Sequence, residues 1–131
     1  MSVKLVQDIM VKDVVTISSF NTLREALSKM KARKVKSLVV EKQDEHDAFG
    51  LVTYTNILKT IIAEEGDVDL INVYDIYIKP ALTVHPNLSI NHAAKIMSKY
   101  KVKRLIVTSG NELCGILTID DLIADTLKLI D

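Results

Sequence analysis

The chain contains two copies of one sequence pattern, offset by 67 residues over most of their length. Asp8-Ile9 recurs as Asp75-Ile76, and Lys34-Val35-Lys36 recurs as Lys101-Val102-Lys103. A repeat of this length is one supersecondary unit, and such units usually bury their apolar faces against each other. Two copies predict a pseudo-twofold axis, and we expect the functional site in the cleft on that axis. Further matched pairs are Lys12 with Lys79, Thr16 with Thr83, Ala26 with Ala93, Met30 with Met97, Leu38 with Leu105, Val40 with Val107 and, after a loop two residues shorter in the second copy, Gly50 with Gly115 and Thr53 with Thr118.

Length and composition are those of one soluble globular module. The chain has 131 residues, 48% of them hydrophobic, and a formal net charge of +0, which disfavours nucleic-acid binding because such domains are usually strongly basic. Cys114 is the single cysteine, and we expect it to lie in a buried strand as a small hydrophobe. No signal peptide and no apolar run of about 20 residues is evident, so we expect a cytoplasmic protein.

Each copy predicts the same order of elements: strand, helix, strand, strand, helix. Asn21-Thr22 and Ser89 are the candidate N-caps of the first helices, because their side chains can accept from free amides of a first turn. A helical crossover favours parallel pairing of the first two strands, and a hairpin makes the next pairing antiparallel. The expected fold class is α/β in the mixed α+β sense, with two β-α-β-β-α repeats at residues 1–66 and 67–131 forming one compact module. The predicted strands are Val14–Ile17, Leu38–Val40 and Phe49–Thr53, then Ala81–Val84, Leu105–Val107 and Leu113–Thr118.

The block Gly115-Ile116-Leu117-Thr118-Ile119-Asp120-Asp121 lies where a strand is predicted to end and a helix to begin. Thr118 and Asp121 both belong to the first helical turn, where free backbone amides favour anionic or hydroxyl-rich ligands. A carboxylate directed outward there can accept hydrogen bonds from the two hydroxyls of a ribose. The same spacing is also that of a capping box, which requires no ligand, so both interpretations stay open. In the first copy Asn56 replaces the aspartate, and an amide lacks the charge that strengthens such a contact.

Basic residues cluster where each first helix ends and the next strand begins. Such cations complement the negative end of a helix and can simply remain solvated. Lys36, Lys103 and Arg104 adjoin the buried strands, so we expect them to point into the cleft and to form a phosphate site. The other members of the two clusters are Lys29, Lys31, Arg33 and Lys34, then Lys99 and Lys101.

Catalytic and metal-binding interpretations find little support. The three histidines have no partners at the spacing of metal ligands, so we expect no metal site and no cofactor. We find no glycine-rich phosphate loop, no nucleophile elbow and no cysteine-histidine pairing. Three carboxylates on the last helix are expected to form a solvated face rather than an acid/base pair. These histidines are His46, His85 and His92, and the carboxylates are Asp120, Asp121 and Asp125.

Together these blocks resemble a tandem pair of cystathionine β-synthase (CBS) domains, also called a Bateman module. The resemblance rests on Asp-Ile-Met-Val-Lys with Thr16, its echo from Asp75 to Thr83, and the blocks Lys-Val-Lys-Arg-Leu-Ile-Val and Gly-Ile-Leu-Thr-Ile-Asp-Asp. It covers nearly the whole chain and leaves no room for a catalytic domain. No single block is specific, whereas their order, repeated twice at the same spacing, is.

The resemblance implies a non-enzymatic regulatory module that binds an adenosine-containing ligand (AMP, ADP, ATP or S-adenosylmethionine) between the repeats. The family's Gly-h-x-Thr-x-x-Asp block, where h is apolar, matches at Gly115, Thr118 and Asp121, so Thr118 and Asp121 would hold the ribose. The basic residues before the central strands would meet the phosphates, and a loop backbone would meet the adenine. By the same resemblance the phosphate residues are Lys36, Lys103 and Arg104, and the adenine segment is Pro80-Ala81-Leu82.

The first copy departs from this pattern at Asn56 and at Ser37, the counterpart of Arg104. Thr53 and Asn56 therefore predict a weaker second site. The resemblance also implies a homodimer through the last helix of each repeat, and an unidentified regulated protein as a partner. The alternatives are a ligand-free interaction or dimerisation module and an S-adenosylmethionine sensor. The residues expected at the dimer surface are Leu58, Ile61, Ile62, Leu122, Ile123, Leu127 and Ile130.

Overall fold

The structure, a computed structural model, describes residues 4–130. Its helices and strands divide into two compact units, each with one three-stranded sheet. The first-sheet unit is Val15–Ala81, and the second-sheet unit combines the described residues up to Val14 with those from Leu82 onward. This confirms the predicted mixed α+β fold. Among residues 4–130, no helix has both the length and the apolar character needed to cross a membrane.

The two sheets have the same topology. In each, the first two strands pair parallel and the last two pair antiparallel, as the crossover and the hairpin predicted. The elements are α1 (Val6–Ile9), β1 (Thr16–Ile17), α2 (Leu23–Arg33), β2 (Ser37–Val40), β3 (Gly50–Thr53), α3 (Tyr54–Leu58), a π-helical turn (Lys59–Ala63), a 3₁₀ turn (Val73–Asp75), β4 (Thr83–Val84), α4 (Ile90–Tyr100), β5 (Arg104–Ser109), β6 (Glu112–Thr118) and α5 (Ile119–Leu127).

The helices after the first strands begin and end at local signals. Thr22 caps α2: its hydroxyl accepts from the Glu25 amide at 3.2 Å, and the Glu25 carboxylate accepts from the Thr22 amide at 2.9 Å. Ser89 caps α4, so both predicted N-caps are confirmed. Both helices end at a lysine in the left-handed region, Lys34 with φ 57° and Lys101 with φ 54°. The repeat thus encodes helix boundaries as well as apolar faces.

The compact units do not coincide with the sequence repeats, because the segment before each first strand packs onto the other sheet. Val6 is fully buried in the core of the second-sheet unit, and its amide donates to Leu88 O at 2.8 Å. Val73 is fully buried in the core of the first-sheet unit, and its amide donates to Asn21 O at 2.8 Å. Equivalent segments have therefore exchanged places between the repeats.

The matched glycines, Gly50 and Gly115, lie under these exchanged segments. A Cβ added at Gly115 would come within 2.7 Å of Val11 O, and one added at Gly50 would come within 3.2 Å of Ile78 O. Each segment forms a single antiparallel bridge beside its glycine, from Val11 to Ile116 and from Leu51 to Ile78. The glycines recur because a backbone strand crosses at close range, which is a packing reason independent of any ligand.

Several predicted boundaries differ from the structure. The first strands are only two residues long, because β1 and β4 each pair with the central strand at two positions. The last helix of the first repeat is short and ends in the π-helical turn, whereas α5 has 9 residues. The tight hairpin is confirmed, with Gly110 at φ 63° between β5 and β6. Cys114 lies in β6 and is half-buried, so it is less enclosed than expected.

Candidate functional site

In the second-sheet unit, β-sheet pairing places Arg104 directly opposite Thr118. Directly opposed residues of antiparallel strands project to the same face of the sheet. That face also carries Ile106, whereas Leu105 and Leu117 project into the core on the other face. Arg104 begins β5 and Thr118 ends β6, so the two residues are far apart in sequence. The antiparallel hairpin places them side by side.

Thr118 and Asp121 form a complete capping box at the start of α5. The Asp121 carboxylate oxygen Oδ2 accepts from the Thr118 amide at 2.8 Å and from the Thr118 hydroxyl at 2.9 Å, and the Asp121 amide donates to the Thr118 hydroxyl oxygen at 3.2 Å. Asp121 Oδ1 receives no hydrogen bond from residues 4–130. The capping interpretation is therefore confirmed, and it leaves one carboxylate oxygen available to a ligand.

Arg104 is half-buried and Lys103 is exposed. Burial lowers the pKa of the Arg104 guanidinium, and the charge of Asp120 opposes that change. An arginine remains protonated in spite of such a shift, so Arg104 presents a fixed, partly desolvated cation. Lys103 contributes its carbonyl oxygen, which accepts from the Ile119 amide at 2.9 Å and ties the start of α5 to β5.

The equivalent position of the first-sheet unit has the same strand pairing but lacks the charged side chains. Ser37 pairs with Thr53, and the Thr53 hydroxyl accepts from the Asn56 amide at 3.1 Å. Within residues 4–130 the Asn56 side chain returns no hydrogen bond to Thr53, so the capping box is only half formed. Thr53 is also buried, with 8% of its surface exposed. No charged side chain stands at either Ser37 or Asn56 to bind an anionic or polar ligand.

The backbone of the segment Pro80-Ala81-Leu82 is already partly engaged. Proline has no amide hydrogen, the Ala81 amide donates to Phe49 O at 3.0 Å, and Leu82 O accepts from the Ile106 amide at 3.0 Å. Within the described part of the chain, the Leu82 amide and the carbonyl oxygens of Pro80 and Ala81 have no backbone partner. One donor and two acceptors are thus the groups that this segment can offer to a base.

Two stretches of the chain match the same protein-family model. The family model described as "CBS domain" matches residues 6–63 and again residues 73–126. The chain is a member of the CBS-domain family. The tandem arrangement inferred from the 67-residue repeat is confirmed, and the two matches together cover most of the chain.

Solved structures and curated relatives agree with a CBS pair. The hexameric CBS-CP12 protein from bloom-forming cyanobacteria is 32% identical, with a TM-score of 0.93 over 99% of this chain and 76% of that one. The CBS domain pair of protein MJ0100, solved in complex with 5′-methylthioadenosine and S-adenosyl-L-methionine, is 26% identical, with a TM-score of 0.81 over 94% of this chain and 99% of that one. Inosine-5′-monophosphate dehydrogenase of Korarchaeum cryptofilum is 31% identical over 92% of this chain and 24% of its own length. The chain spans about half the length of the first curated relatives that it matches.

Lys36 lies apart from the Ser37–Thr53 face of its CBS unit. It lines a cavity of about 360 Å³ with residues of α2 and α3, which places it on the side of the sheet that carries the helices. The structure therefore does not bring Lys36 to the face that holds Thr53. We call this cavity the lysine pocket, and it is lined by Leu27, Met30, Lys31, Lys34, Val35, Lys36, Tyr54 and Leu58.

One ion pair of the first-sheet unit was not expected from the sequence. Lys79, which directly precedes Pro80, pairs with Asp47 of the long loop after β2. The hydrogen bond from Lys79, with two backbone amides, lowers the pKa of Asp47 to about 2. The pair ties the loop to the segment that carries the adenine-binding candidates. The sequence does show a charged loop in the first repeat where the second has only a two-residue turn. That difference did not identify Lys79 as the partner of Asp47.

A second pair corrects the expectation that all three carboxylates of α5 are solvated. Asp125 has only 7% of its surface exposed, and its carboxylate accepts a hydrogen bond from Lys4 Nζ. The expectation was wrong because the exchanged N-terminal segment covers this face of α5 within the second-sheet unit. Asp120 is exposed, as expected, and Asp121 is half-buried by its role in the cap.

Histidines and other metal ligands do not assemble into a site. Across residues 4–130, no three or more side chains of His, Cys, Asp or Glu gather closely enough to hold a metal ion. His92 contacts the N-cap Ser89 with 2.7 Å between His92 Nδ1 and Ser89 Oγ, and His46 is exposed beside Glu45. These histidine contacts are local to a helix cap and a loop.

Proposed function

We propose that the chain is a regulatory module that binds an adenosine-containing ligand of the AMP, ADP or ATP type, chiefly through its second repeat, and has no catalysis of its own. The observation that carries the proposal is the pairing of Arg104 with Thr118 across the hairpin. Thr118 lies three residues before Asp121, whose carboxylate has one oxygen engaged in the cap and one without a hydrogen bond from residues 4–130. This arrangement supplies a cation and a carboxylate at adjoining positions of one hairpin and the helix that follows it. A separate partner protein would read the bound state.

The ribose assignment follows from the unused lone pairs. Asp121 Oδ2 is engaged in the cap, so Oδ1 is the oxygen that would accept from a ribose hydroxyl. The Thr118 hydroxyl donates to Asp121 and accepts from its amide, which leaves one acceptor position for a second ligand hydroxyl. A carboxylate fixed by a cap loses little freedom on binding, so the hydrogen bond to it is worth more than one to a mobile side chain.

The phosphate and adenine assignments use the remaining groups. Arg104, half-buried and charged, would meet the phosphates. Lys103 is exposed and matches Lys36 in the repeat, and it directly precedes Arg104 on an extended chain whose side chains alternate between faces, so it is a weaker candidate. The free carbonyl oxygens of Pro80 and Ala81 and the Leu82 amide match the donor and acceptor edge of adenine. Lys36 is a weaker candidate for the phosphates because it lines the lysine pocket. Thr53 and Asn56 would form at most a weaker second site.

The MJ0100 neighbour supports the ligand class. That CBS pair was solved with 5′-methylthioadenosine and S-adenosyl-L-methionine, which share the adenosine moiety with the nucleotides proposed here. S-adenosylmethionine is therefore the second candidate ligand. The two classes differ in charge: a phosphate requires Arg104, whereas a sulfonium ligand carries a positive charge that Arg104 would repel.

Isothermal titration calorimetry of the whole chain with AMP, ADP, ATP and S-adenosylmethionine tests the proposal. We expect heat with at least one nucleotide, weakened strongly by Asp121→Asn and by Arg104→Met. Glu25→Gln is the matched control, because Glu25 is the same capping-box residue of α2 and lies outside the proposed site. Absence of binding to all four ligands by a folded protein well above micromolar concentration would contradict the proposal.

A second candidate function, self-association without a ligand, has its own observation. The last helices expose apolar side chains that a single sheet does not cover, among them Ile62 with 70% of its surface exposed and Leu127 with 60%. The proposed homodimer would bury Leu58, Ile62, Ile123 and Leu127. Sedimentation velocity over a range of concentrations tests it: Leu127→Lys should shift the chain to monomer, and a monomeric parent chain would contradict it.

A further inference from the structure

The lysine pocket of the first-sheet unit combines an apolar lining with three cations. Five of its lining side chains are apolar or aromatic, namely Leu27, Met30, Val35, Tyr54 and Leu58. They come from α2, the connection to β2, and α3, so the cavity is held by three elements of one unit. Its volume of about 360 Å³ lies at the lower end of the range for small-molecule sites.

The three lysines, Lys31, Lys34 and Lys36, are exposed and form no ion pair with residues 4–130. Cations at a helix C-terminus complement the helix dipole and need no ligand. That account covers Lys31 and Lys34, at the end of α2, but not Lys36, which directly precedes β2. All three line the same apolar cavity. The left-handed backbone of Lys34, with φ 57°, makes the turn that brings the chain from α2 back to Lys36.

We propose that the lysine pocket binds a small organic anion with an apolar body and one carboxylate or phosphate group. The apolar body would displace water from Leu27, Met30 and Leu58, and the head group would be met by the lysine ammonium groups. Lysine suits this arrangement because its aliphatic stem can lie along an apolar wall while the ammonium remains at the rim. The proposal does not rest on the nucleotide site proposed above, because Arg104, Thr118 and Asp121 lie outside the lysine pocket and the two sites share only the weaker phosphate candidate Lys36.

The second repeat lacks the same set of residues. At the matched positions Leu27 becomes Ala94, Lys31 becomes Ser98 and Tyr54 becomes Ile119, while Lys34 is retained as Lys101. The apolar wall is thus smaller there, and one cation is missing. Lys34 and Lys101 both cap their helices in the left-handed region, so substitutions at the two positions meet the same backbone conformation. This provides a control for the role of Lys34 within the same chain.

Two-dimensional amide NMR of the whole chain with octanoate and octyl phosphate tests the proposal. We expect saturable shifts at amides of Leu27, Lys34 and Tyr54. Hexanoate should bind more weakly than octanoate, by up to about fourfold for each methylene removed, because each buried methylene contributes about 0.8 kcal/mol. Added salt should weaken binding, since the lysines are exposed and their charges are screened.

Paired variants separate this site from nonspecific binding. Lys34→Met should weaken octanoate binding about threefold, within the range for an exposed charge pair, and Lys101→Met should leave it unchanged. Leu58→Phe should block the pocket, and Ile123→Phe at the matched position of α5 should not. Thermal melts of all four variants identify any loss of binding that arises from unfolding.

Four outcomes would overturn the proposal. Equal binding of 1-octanol would remove the role of the lysines, and equal binding of inorganic phosphate would remove the role of the apolar wall. Displacement of octanoate by AMP would make the pocket part of a nucleotide site. If the shifts at Leu27 and Tyr54 depend on protein concentration instead of added octanoate, the occupant is a second copy of the chain.

Discussion

The two repeats share a scaffold and differ in what they place on it. Both cap the first helix at its N-terminus, end it at a left-handed lysine and place a glycine under a crossing segment. In the second repeat the position opposite the threonine holds Arg104, and a complete box fixes Asp121. In the first repeat the same positions hold Ser37 and Asn56. Residues that shape the backbone have been kept in both copies, whereas the charged groups suited to a nucleotide stand in only one.

The largest expected effect concerns the scaffold, at the matched glycines. Gly115→Ala would bring a Cβ within 2.7 Å of Val11 O, a backbone atom that cannot rotate away. We expect a loss of about 3 kcal/mol in the free energy of unfolding, at the upper end for overpacking. Gly50→Ala meets its neighbours at 3.1 Å or more and should cost about 1 kcal/mol. Urea denaturation of both variants measures the difference, and equal losses would show that the crossing segments are equally tight.

The second prediction concerns the chemistry at Asp121 and Asn56. Asp121→Asn removes the charge from the proposed hydrogen bond to the ribose and should weaken nucleotide binding about 10- to 150-fold, as expected for about 1.5–3 kcal/mol. Asn56→Asp in the parent chain should improve binding at the first-repeat site, measured as a second event in calorimetry. A parent affinity retained by Asp121→Asn would move the binding site away from the second repeat.

Features of the fold that depend on local sequence could be predicted, and those that depend on long-range packing could not. Capping residues, strand order and the hairpin turn are local signals, and the structure confirms them at Thr22, Ser89 and Gly110. The exchange of flanking segments is not local: Asp8-Ile9 and Asp75-Ile76 look alike, and nothing in either shows which sheet it will cover. The long-range pair of Lys4 with Asp125 follows from that exchange and was missed for the same reason.

The basic cluster shows a second limit, which comes from strand geometry. Lys36 and Ser37 are neighbours in sequence, yet successive residues of an extended chain point to opposite faces. Ser37 shares a face with Thr53, and Lys36 lines the pocket on the helical side. A one-residue step therefore decides whether a cation shares a face with the groups proposed to bind the ribose or lines a different cavity. The sequence analysis assigned Lys36 and Arg104 to one phosphate site because both adjoin a central strand, and that criterion does not show which face each side chain occupies.

The third prediction compares an ion pair from each unit. Lys4→Met leaves Asp125, only 7% exposed, without its ammonium partner, and should reduce the free energy of unfolding by about 1–3 kcal/mol. Arg24→Met removes the exposed pair with Asp69 of the first-sheet unit and should cost less, because water screens an exposed ion pair. Chemical denaturation of the two variants ranks them. A larger loss for Arg24→Met would show that burial of Asp125 is not what makes its pair important.

The smallest effect is expected in acid, and it arises from the loop that distinguishes the first repeat. The pKa of Asp47 is lowered to about 2 by its hydrogen bonds to Lys79 and to backbone amides, against about 3.9 for an unfolded aspartate. A lowered folded-state pKa contributes stability that is present above the unfolded value and lost as pH falls through the folded one. Between about pH 4 and pH 2 the parent chain should therefore lose stability faster than Asp47→Asn. The second repeat has only a turn at Gly110 in place of this loop, so the effect should be confined to the first-sheet unit. In the parent chain, the Ala81 amide should lose protection against hydrogen exchange as the pH falls through this range, whereas in Asp47→Asn its protection should not change. Identical acid profiles for parent and variant would show that the loop does not hold the segment proposed to meet the adenine.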